Sequence, residues 1–566
     1  MSAIIELENV SFRYPGATRD TLRNVNLRIE EGDFVAVVGG NGSGKTTLCK
    51  TFNGLVPHYW QGEFAGEARV CGVDTFESSV AALSAHVGYV YQDFQNQLVR
   101  PCVDDEVQFG PMNFGYGDYA VRAADAMDQL GIGGLADRFV WQLSGGQAHL
   151  TALASVLALR PSVIVVDEPV AEVDPARAHE IYERLTVLNR DHGVTVVVIE
   201  HHAEFISQYA RSVVLMADGA PVWHLPVREA VNRTAELEEH GIPAPQVVQA
   251  CVSQGLADAP LTIAEAADLL RDAGVGRHHR WAPAPPAPPA GDVVVRVREV
   301  SHAYRSVSGD LLPVLDRVDA DIRHGERVAL VGGNGAGKST LMRLMGGLTV
   351  AREGTVELAG VDTRQAPAAV LAEHAAYLYQ RPEQMFVKDS VRADVALFPA
   401  GRRRPDAAGL VERVLDKVHL TPFADRDGRT LSGGQQRRAT LAIGLAMTPS
   451  LLLLDEPTAS LDVASRDSVI AMLDELAGSI AAAVVATHDM HLVAEWATRV
   501  IVLEQGRVAA DLTPRELFSS PALLDAANLV PPQITQLAAA IGLTPPPLTE
   551  REWRDAVALS ATEVPA

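Results

Sequence analysis

Residues 37–47 read VVGGNGSGKTT, and residues 330–340 read LVGGNGAGKST. Each satisfies the pattern GxxxxGK[ST]. An apolar run (FVAVV) precedes the first copy and a helix-forming segment (TLCKTFNGL) follows it. Small residues let successive backbone N–H groups wrap an anion at a helix N-terminus. The lysine sets a point charge against the β/γ oxygens of a nucleotide, and the next hydroxyl reaches Mg²⁺. The first cradle is Gly39, Gly40, Asn41, Gly42, Ser43, Gly44, Lys45, Thr46 and Thr47. The second is Gly332, Gly333, Asn334, Gly335, Ala336, Gly337, Lys338, Ser339 and Thr340. A glycine-rich turn can match such a pattern once by accident, and duplication removes that reading. ATP and Mg²⁺ are the expected ligands.

The repetition extends outward from the cradles. YVYQ ending at Gln92 recurs as YLYQ ending at Gln380, LSGGQ at 143–147 recurs at 431–435, and VVDEP at 165–169 recurs as LLDEP at 453–457. IEHH at 199–202 answers ATHD at 486–489. The order is the same in both halves and the offset nearly constant, so the chain is two copies of one unit. Between them, WAPAPPAPPAG (281–291) is a Pro/Ala stretch expected to form a stiff extended spacer. The expected organisation is a first nucleotide-binding domain at 4–245, its tail at 246–280, a linker at 281–292, a second domain at 293–525 and a second tail at 526–566.

Bulk properties narrow the class. At 566 residues the chain is too long for one core, and no apolar run approaches the roughly 18 residues of a spanning helix. The opening MSAIIELENV lacks a basic n-region and an apolar h-region, so secretion is not expected. The four cysteines are scattered and form no CxxC pair, which fits a reducing compartment better than a disulfide or metal framework. A net charge of −23 disfavours a partner with a phosphate backbone, so no nucleic acid is expected.

The remaining motifs carry the chemistry. SVIVVDEP and SLLLLDEP are buried-strand runs ending in two carboxylates. Asp167 and Asp455 are candidates for the Mg²⁺ shell, and Glu168 and Glu456 for the groups that orient or deprotonate water. Acidic residues also end strands as helix caps or solvated turns, and the cradle upstream is what favours the catalytic reading. Ser144, Gly145, Gly146 and Gln147, like Ser432, Gly433, Gly434 and Gln435, open a helix and form a second anion-binding corner in each copy. One nucleotide site needs one cradle, so the second corner is suited to a nucleotide held elsewhere.

This set closely resembles the ATP-binding cassette (ABC) family: P-loop, Q-loop glutamine, LSGGQ, DEP, D-loop and H-loop histidine stand in family order in both copies. The resemblance implies an α/β fold: two P-loop NTPase cassettes in tandem, each with a helical signature subdomain and a small C-terminal tail. It implies head-to-tail ATP sites, one joining Lys45, Gln92, Asp167, Glu168 and His201 to the second LSGGQ. The other would join Lys338, Gln380, Asp455, Glu456 and His488 to the first. Gln92 and Gln380 would serve the metal and the water, with Thr46 and Ser339 as further metal ligands, and the histidines would meet the γ-phosphate. Tyr14 and Tyr304 match the adenine-stacking aromatic, with plain packing the alternative. Two departures, Ala148-His149-Leu150 against Gln436-Arg437-Arg438 and the D-loop Ala171-Glu172-Val173-Asp174 against Ala459-Ser460-Leu461-Asp462, suggest unequal sites.

Within the family, VDDEVQFGPMNFG (103–115), VRADVALFP (391–399), YQRPEQMF (379–386) and the first copy's insertion near NGLVPHYWQGEFAGEARV resemble energy-coupling factor (ECF) transporter ATPases. That resemblance implies an ATPase at the cytoplasmic face of the cell membrane, without inserting in it. Its partners would be a transmembrane coupling protein and a substrate-binding membrane subunit. Phe94, Leu98 and Val99, and Met385, Phe386 and Val387, are expected to line the docking grooves, with packing inside their own helical subdomain the alternative. The rival is a soluble tandem-cassette factor acting on ribosomes. Such factors carry a charged helical linker, unlike the Pro/Ala run here.

Overall fold

The computed structural model describes residues 2–170, 175–256, 260–275, 281–282, 291–305, 309–459, 461–476 and 480–561. The first D-loop (171–174), Ser460 and most of the Pro/Ala run (283–290) lie outside the described residues. The chain divides into two compact units, Met1–Leu270 and Arg271–Ala566. Trp281, expected in the spacer, is buried within the second unit, where its indole donates to Pro545 O at 2.8 Å beneath the Arg515 guanidinium.

Among its described residues the first unit builds two sheets from ten strands. These are β1 (Ala3–Arg13), β2 (Leu22–Glu30), β3 (Phe34–Val38), β4 (Glu63–Val70), β5 (Val73–Asp74), β6 (Val87–Val90), β7 (Val163–Asp167), β8 (Thr195–Ile199), β9 (Ser212–Ala217) and β10 (Ala220–Pro226). One sheet has the order β2-β1-β4-β5 with antiparallel pairing, and the other β10-β9-β3-β8-β7-β6. From β9 to β6 the second sheet is parallel, and every residue of β3, β7 and β8 is buried. That explains their unbroken Val/Ile runs, since a strand covered on both faces has no polar side to alternate with. The second unit repeats the plan with β11 (Val293–Arg305), β12 (Leu311–Arg323), the cradle strand β13 (Arg327–Val331), β14 (Glu353–Leu358), β15 (Val361–Asp362), β16 (Ala375–Leu378), β17 (Leu451–Asp455), β18 (Ala482–Ala486), β19 (Arg499–Glu504) and β20 (Arg507–Leu512), in the orders β12-β11-β14-β15 and β16-β17-β18-β13-β19-β20.

Between β6 and β7 the chain leaves the sheet for a helical region of Val103–Asn113, Tyr119–Gln129 and Gly145–Leu157, which pack on one another. Its counterpart is Val391–Gly401, Ala407–Lys417 and Gly433–Ala446. The candidate residues follow the C-terminal ends of parallel strands, where an open α/β sheet leaves its crevice.

Candidate active sites

The first cradle turns between β3 and the helix Lys45–Phe52. Gly39 has φ +145°, and a Cβ there would stand 2.2 Å from Met216 O, so only glycine lets the loop pass β9. Gly332 repeats this at φ +146°, with Leu503 O 2.1 Å away. Lys45 folds back over the loop, Nζ donating to Gly39 O at 2.7 Å and Gly40 O at 3.0 Å, and Lys338 does the same to Gly332 O and Gly333 O at 2.7 and 3.3 Å. Ser43 Oγ is buried without a partner. Tyr14 and Tyr304 flank the cradles, their hydroxyls 3.2 Å from Thr47 Oγ1 and 3.4 Å from Thr340 Oγ1.

Beside each cradle, the carboxylate ending the DEP strand is held on two sides. Asp455 accepts from Ser339 Oγ at 3.0 Å and from Tyr377 Oη at 2.6 Å, and Asp167 accepts from Tyr89 Oη at 3.0 Å and from Thr46. Burial pushes the Asp167 carboxyl up to about 6, against the Tyr89 hydrogen bond. A cation beside it would return it to the ionised form. Hydroxyl, carboxylate and glutamine amide form an all-oxygen set that suits Mg²⁺ sharing its shell with phosphate and water. Among the described residues, no group of three or more His, Cys, Asp or Glu could hold a metal alone. Tyr89 and Tyr377 carry this arrangement and were not assigned from sequence. The recurrence of tyrosine three residues before each Q-loop glutamine was the available signal.

Glu168 and Glu456 both take left-handed backbone, φ +50° and +47°. Such a conformation costs a non-glycine residue on the order of 1 kcal/mol and aims the side chain across the site. Glu168 is clasped by Gln92 Nε2 at 2.6 Å and His201 Nε2 at 3.1 Å. Glu456 meets His488 Nδ1 at 3.0 Å, but no hydrogen bond joins it to Gln380. Burial pushes the Glu456 carboxyl up, yet the neighbouring His488 and Lys338 outweigh it and hold the carboxyl below its usual range. His488 is raised in turn, because Glu456 overcomes its burial. Sequence places Gln92 and Gln380 in one role, and the structure brings only the first onto its glutamate.

Both LSGGQ corners are built as capping boxes. Ser144 Oγ accepts from the Gln147 amide at 3.3 Å while Gln147 Oε1 takes the Ser144 amide at 3.1 Å, and Ser432 and Gln435 repeat the exchange. A Cβ at Gly146 or Gly434 would stand 2.7 Å from Arg177 Cδ or 2.8 Å from Ser465 Oγ, side-chain atoms that would have to move aside. Behind these corners the repeats diverge. Arg437 donates to Tyr379 O at 3.3 Å and Ala459 O at 3.4 Å, bracing Q-loop strand to D-loop. His149 stands in its place, buried against the Phe94 ring at 4.8 Å, with neither ring nitrogen bonded. Burial pushes its pKa down to about 4, so it packs as a neutral ring.

Residues 22–171 and 315–459 each match the ABC transporter family. The chain belongs to that family. It is 30% identical to a putative ABC transporter ATP-binding protein of Methanosarcina mazei across 97% of this chain and 96% of that one. A protein of the same description from Enterococcus faecalis is 32% identical, covering 96% of both. Among solved structures, a Clostridium perfringens cassette described as CbiO1, part of the ABC transporter complex CbiONQ, is 28% identical with a TM-score of 0.38, covering 42% of this chain and 94% of that one. This tandem-cassette ABC ATPase thus binds and hydrolyses ATP and is the motor component of a transporter. No described helix is long and apolar enough to cross a membrane.

The structure corrects one expectation about the loops that follow the Q-loop glutamines. Phe94 and Phe386 do not line a groove: they are 3% and 4% exposed, and Phe386 packs on Gly428 inside the helical region. Ring-sized apolar area is stabilising only when removed from water, and the space beneath the loop is there to take it. Val99 and Val387 do face outward, at 61% and 63% exposure. Each loop is pinned by a buried carboxylate. Glu106 Oε2 accepts the Val99 and Arg100 amides at 2.8 and 2.6 Å, and Asp394 Oδ1 accepts the Val387 and Lys388 amides, both at 2.9 Å. Both acids lie in the motifs VDDEVQFGPMNFG and VRADVALFP, whose pattern alone does not show what they hold.

Proposed function

We propose that this chain is the ATPase of an ECF-type importer, peripheral at the cytoplasmic face of the membrane, driving uptake of a small molecule through a transmembrane coupling protein and a substrate-binding subunit. The observation that carries the reading is a physical path from chemistry to surface. Gln92 clasps Glu168 and continues into a loop that Glu106 pins and that ends on exposed Val99. In the second repeat, Val387 stands at the same place beside an open groove lined by Met385, Leu397, Phe398, Arg402 and Met447. A groove of that chemistry suits a short amphipathic helix inserting apolar anchors.

In this reading Lys45 and Lys338 meet the β/γ oxygens, Tyr14 and Tyr304 stack on adenine, and Thr46, Asp167 and Gln92 hold Mg²⁺ in one site, with Ser339, Asp455 and Gln380 in the other. The metal would neutralise charge on the phosphates. Glu168 and Glu456 orient the attacking water, and His201 and His488 fix the γ-phosphate. As the paired motifs imply, each nucleotide is completed in the ATP-bound state by the other repeat's LSGGQ. The test is fractionation of cells producing the tagged chain with its membrane partners. Recovery with membranes only when those partners are present supports the reading. Salt-sensitive recovery with ribosomes instead would replace it with the translation-factor reading.

A further inference from the structure

The histidine loops of the two repeats are steadied by different carboxylates. In the second repeat Asp489 follows His488 and caps the helix Met490–Trp496, accepting the His491 and Leu492 amides at 3.0 and 3.2 Å. Burial pushes that carboxyl up, and the charge of Arg466, aided by a hydrogen bond from Thr458, holds it below its usual range. The hydroxyl of Thr487, the residue before the histidine, accepts the Asp489 amide at 2.9 Å.

Every one of these positions is exchanged in the first repeat. Counted from the histidine, Asp489 becomes His202, Thr487 becomes Glu200, Arg466 becomes His179 and Val469 becomes Tyr182; counted from the glutamate, Thr458 becomes Val170. The helix Ala203–Tyr209 has no side-chain cap. Instead Glu200, 1% exposed, accepts the His201 and His202 amides on Oε1 at 2.7 and 2.9 Å. Its Oε2 accepts the Tyr182 hydroxyl at 2.6 Å. Tyr182 is itself buried and stacked on Phe205 and Tyr209, ring centroids 4.9 and 5.0 Å away. Burying a carboxylate is costly unless its oxygens are hydrogen-bonded, and here both are.

We infer that Glu200 is a positioning residue for His201. It takes over the work of Asp489 from the other side of the histidine, with the Tyr182 hydroxyl in place of Arg466 and Thr458. The first repeat has moved the supporting charge, not lost it. Glu200 holds the backbone on either side of the His201 α-carbon, and the ring stands 3.1 Å from Glu168 as a result. Removing Glu200 frees one buried and one part-buried amide and lets the ring leave Glu168, whereas the Lys45 cradle is untouched. The effect falls on turnover more than on nucleotide affinity. The inference rests on the proposed role of His201 at the γ-phosphate.

The test uses the full chain carrying Glu456→Gln, so that turnover reports the first repeat. Glu200→Ala is expected to lower kcat by about 30- to 100-fold with KM for ATP changed less than about threefold. Glu200→Gln keeps an oxygen for both amides and should recover kcat to within about fivefold of the parent. Combined with His201→Ala, Glu200→Ala should cost nothing further, since it acts through the histidine. Losses that multiply in the double variant, or Glu200→Gln failing as badly as Glu200→Ala, overturn the inference while leaving the role of His201 intact. His201→Ala with full turnover overturns the underlying reading instead. Should Glu200→Ala not fold, Tyr182→Phe takes its place, with kcat expected to fall about three- to tenfold at constant KM. Unchanged kcat in that variant refutes the inference.

Discussion

Asp394→Ala should loosen the loop after the second Q-loop glutamine without unfolding the repeat. The carboxylate sits in the first turn of Val391–Gly401, 2% exposed, and one oxygen takes both the Val387 and Lys388 amides. Hydrogen bonds to an ionised acceptor contribute about 1.5–3 kcal/mol each, but amides on an exposed loop can turn to water, so the pair should lose roughly 3 kcal/mol. At about 1.4 kcal/mol per factor of ten, that is a loss of protection on the order of 100-fold. Asp394→Asn keeps an oxygen for both amides. It gives up the charge assistance, offset in part because burial already pushes this carboxyl up, so ionising it there is costly. Its loss should stay under about tenfold. The assay is hydrogen exchange of a peptide spanning 381–390, with urea denaturation as a control for global stability. Unchanged protection in Asp394→Ala, or equal losses in both variants, would refute the view that acceptor geometry pins this loop.

Other outcomes are fixed by the same geometry. Glu168→Gln and Glu456→Gln should each lower phosphate release by about 100-fold or more at the affected site while ATP still binds. If the first repeat's altered signature impairs the site it serves, Glu168→Gln should cost more total turnover. The Glu456–His488 pair sets a pH window for stability. The lowered Glu456 contribution is lost as pH falls through its folded pKa, and the raised His488 contribution is lost as pH rises through its own. Melting temperature against pH should therefore lose both limbs in His488→Ala, and an unchanged profile would contradict the pair. Phe386→Asp should destabilise the second helical region by about 3 kcal/mol or more, and Val387→Asp by less than about 1, as read from urea denaturation.

The fold was legible because its signals are covalent and repeated. Unbroken Val/Ile runs marked strands covered on both faces, and glycines at 39 and 332 marked loops that no other residue can form. What sequence missed depends on burial and direction. Phe94 and Phe386 look like anchors in a linear reading, but hydropathy does not say which side of a loop faces solvent. Tyr89, Tyr377, Glu106, Asp394 and Glu200 act through hydrogen bonds to partners distant in the chain or to backbone amides, which leave no periodic trace. The glutamines show the same limit: near-identical motifs leave both exposed, yet only Gln92 is hydrogen-bonded to its glutamate. The repeats diverge in the same way: Arg437 braces where His149 only packs, and Asp489 and Glu200 support the two histidine loops from opposite sides.

The most direct measurement of the central claim is ATP hydrolysis by the chain reconstituted with its membrane partners in lipid vesicles, compared with the chain alone. Val387→Asp combined with Leu397→Asp places one charge on the exposed lining of the second groove and one on the exposed loop residue two positions after Met385, and changes no residue assigned to either ATP site. The account predicts that this variant, assayed alone, hydrolyses ATP at the wild-type rate, and that it neither retains the partners nor supports uptake coupled to hydrolysis. Full partner retention and coupled uptake by the variant would contradict it.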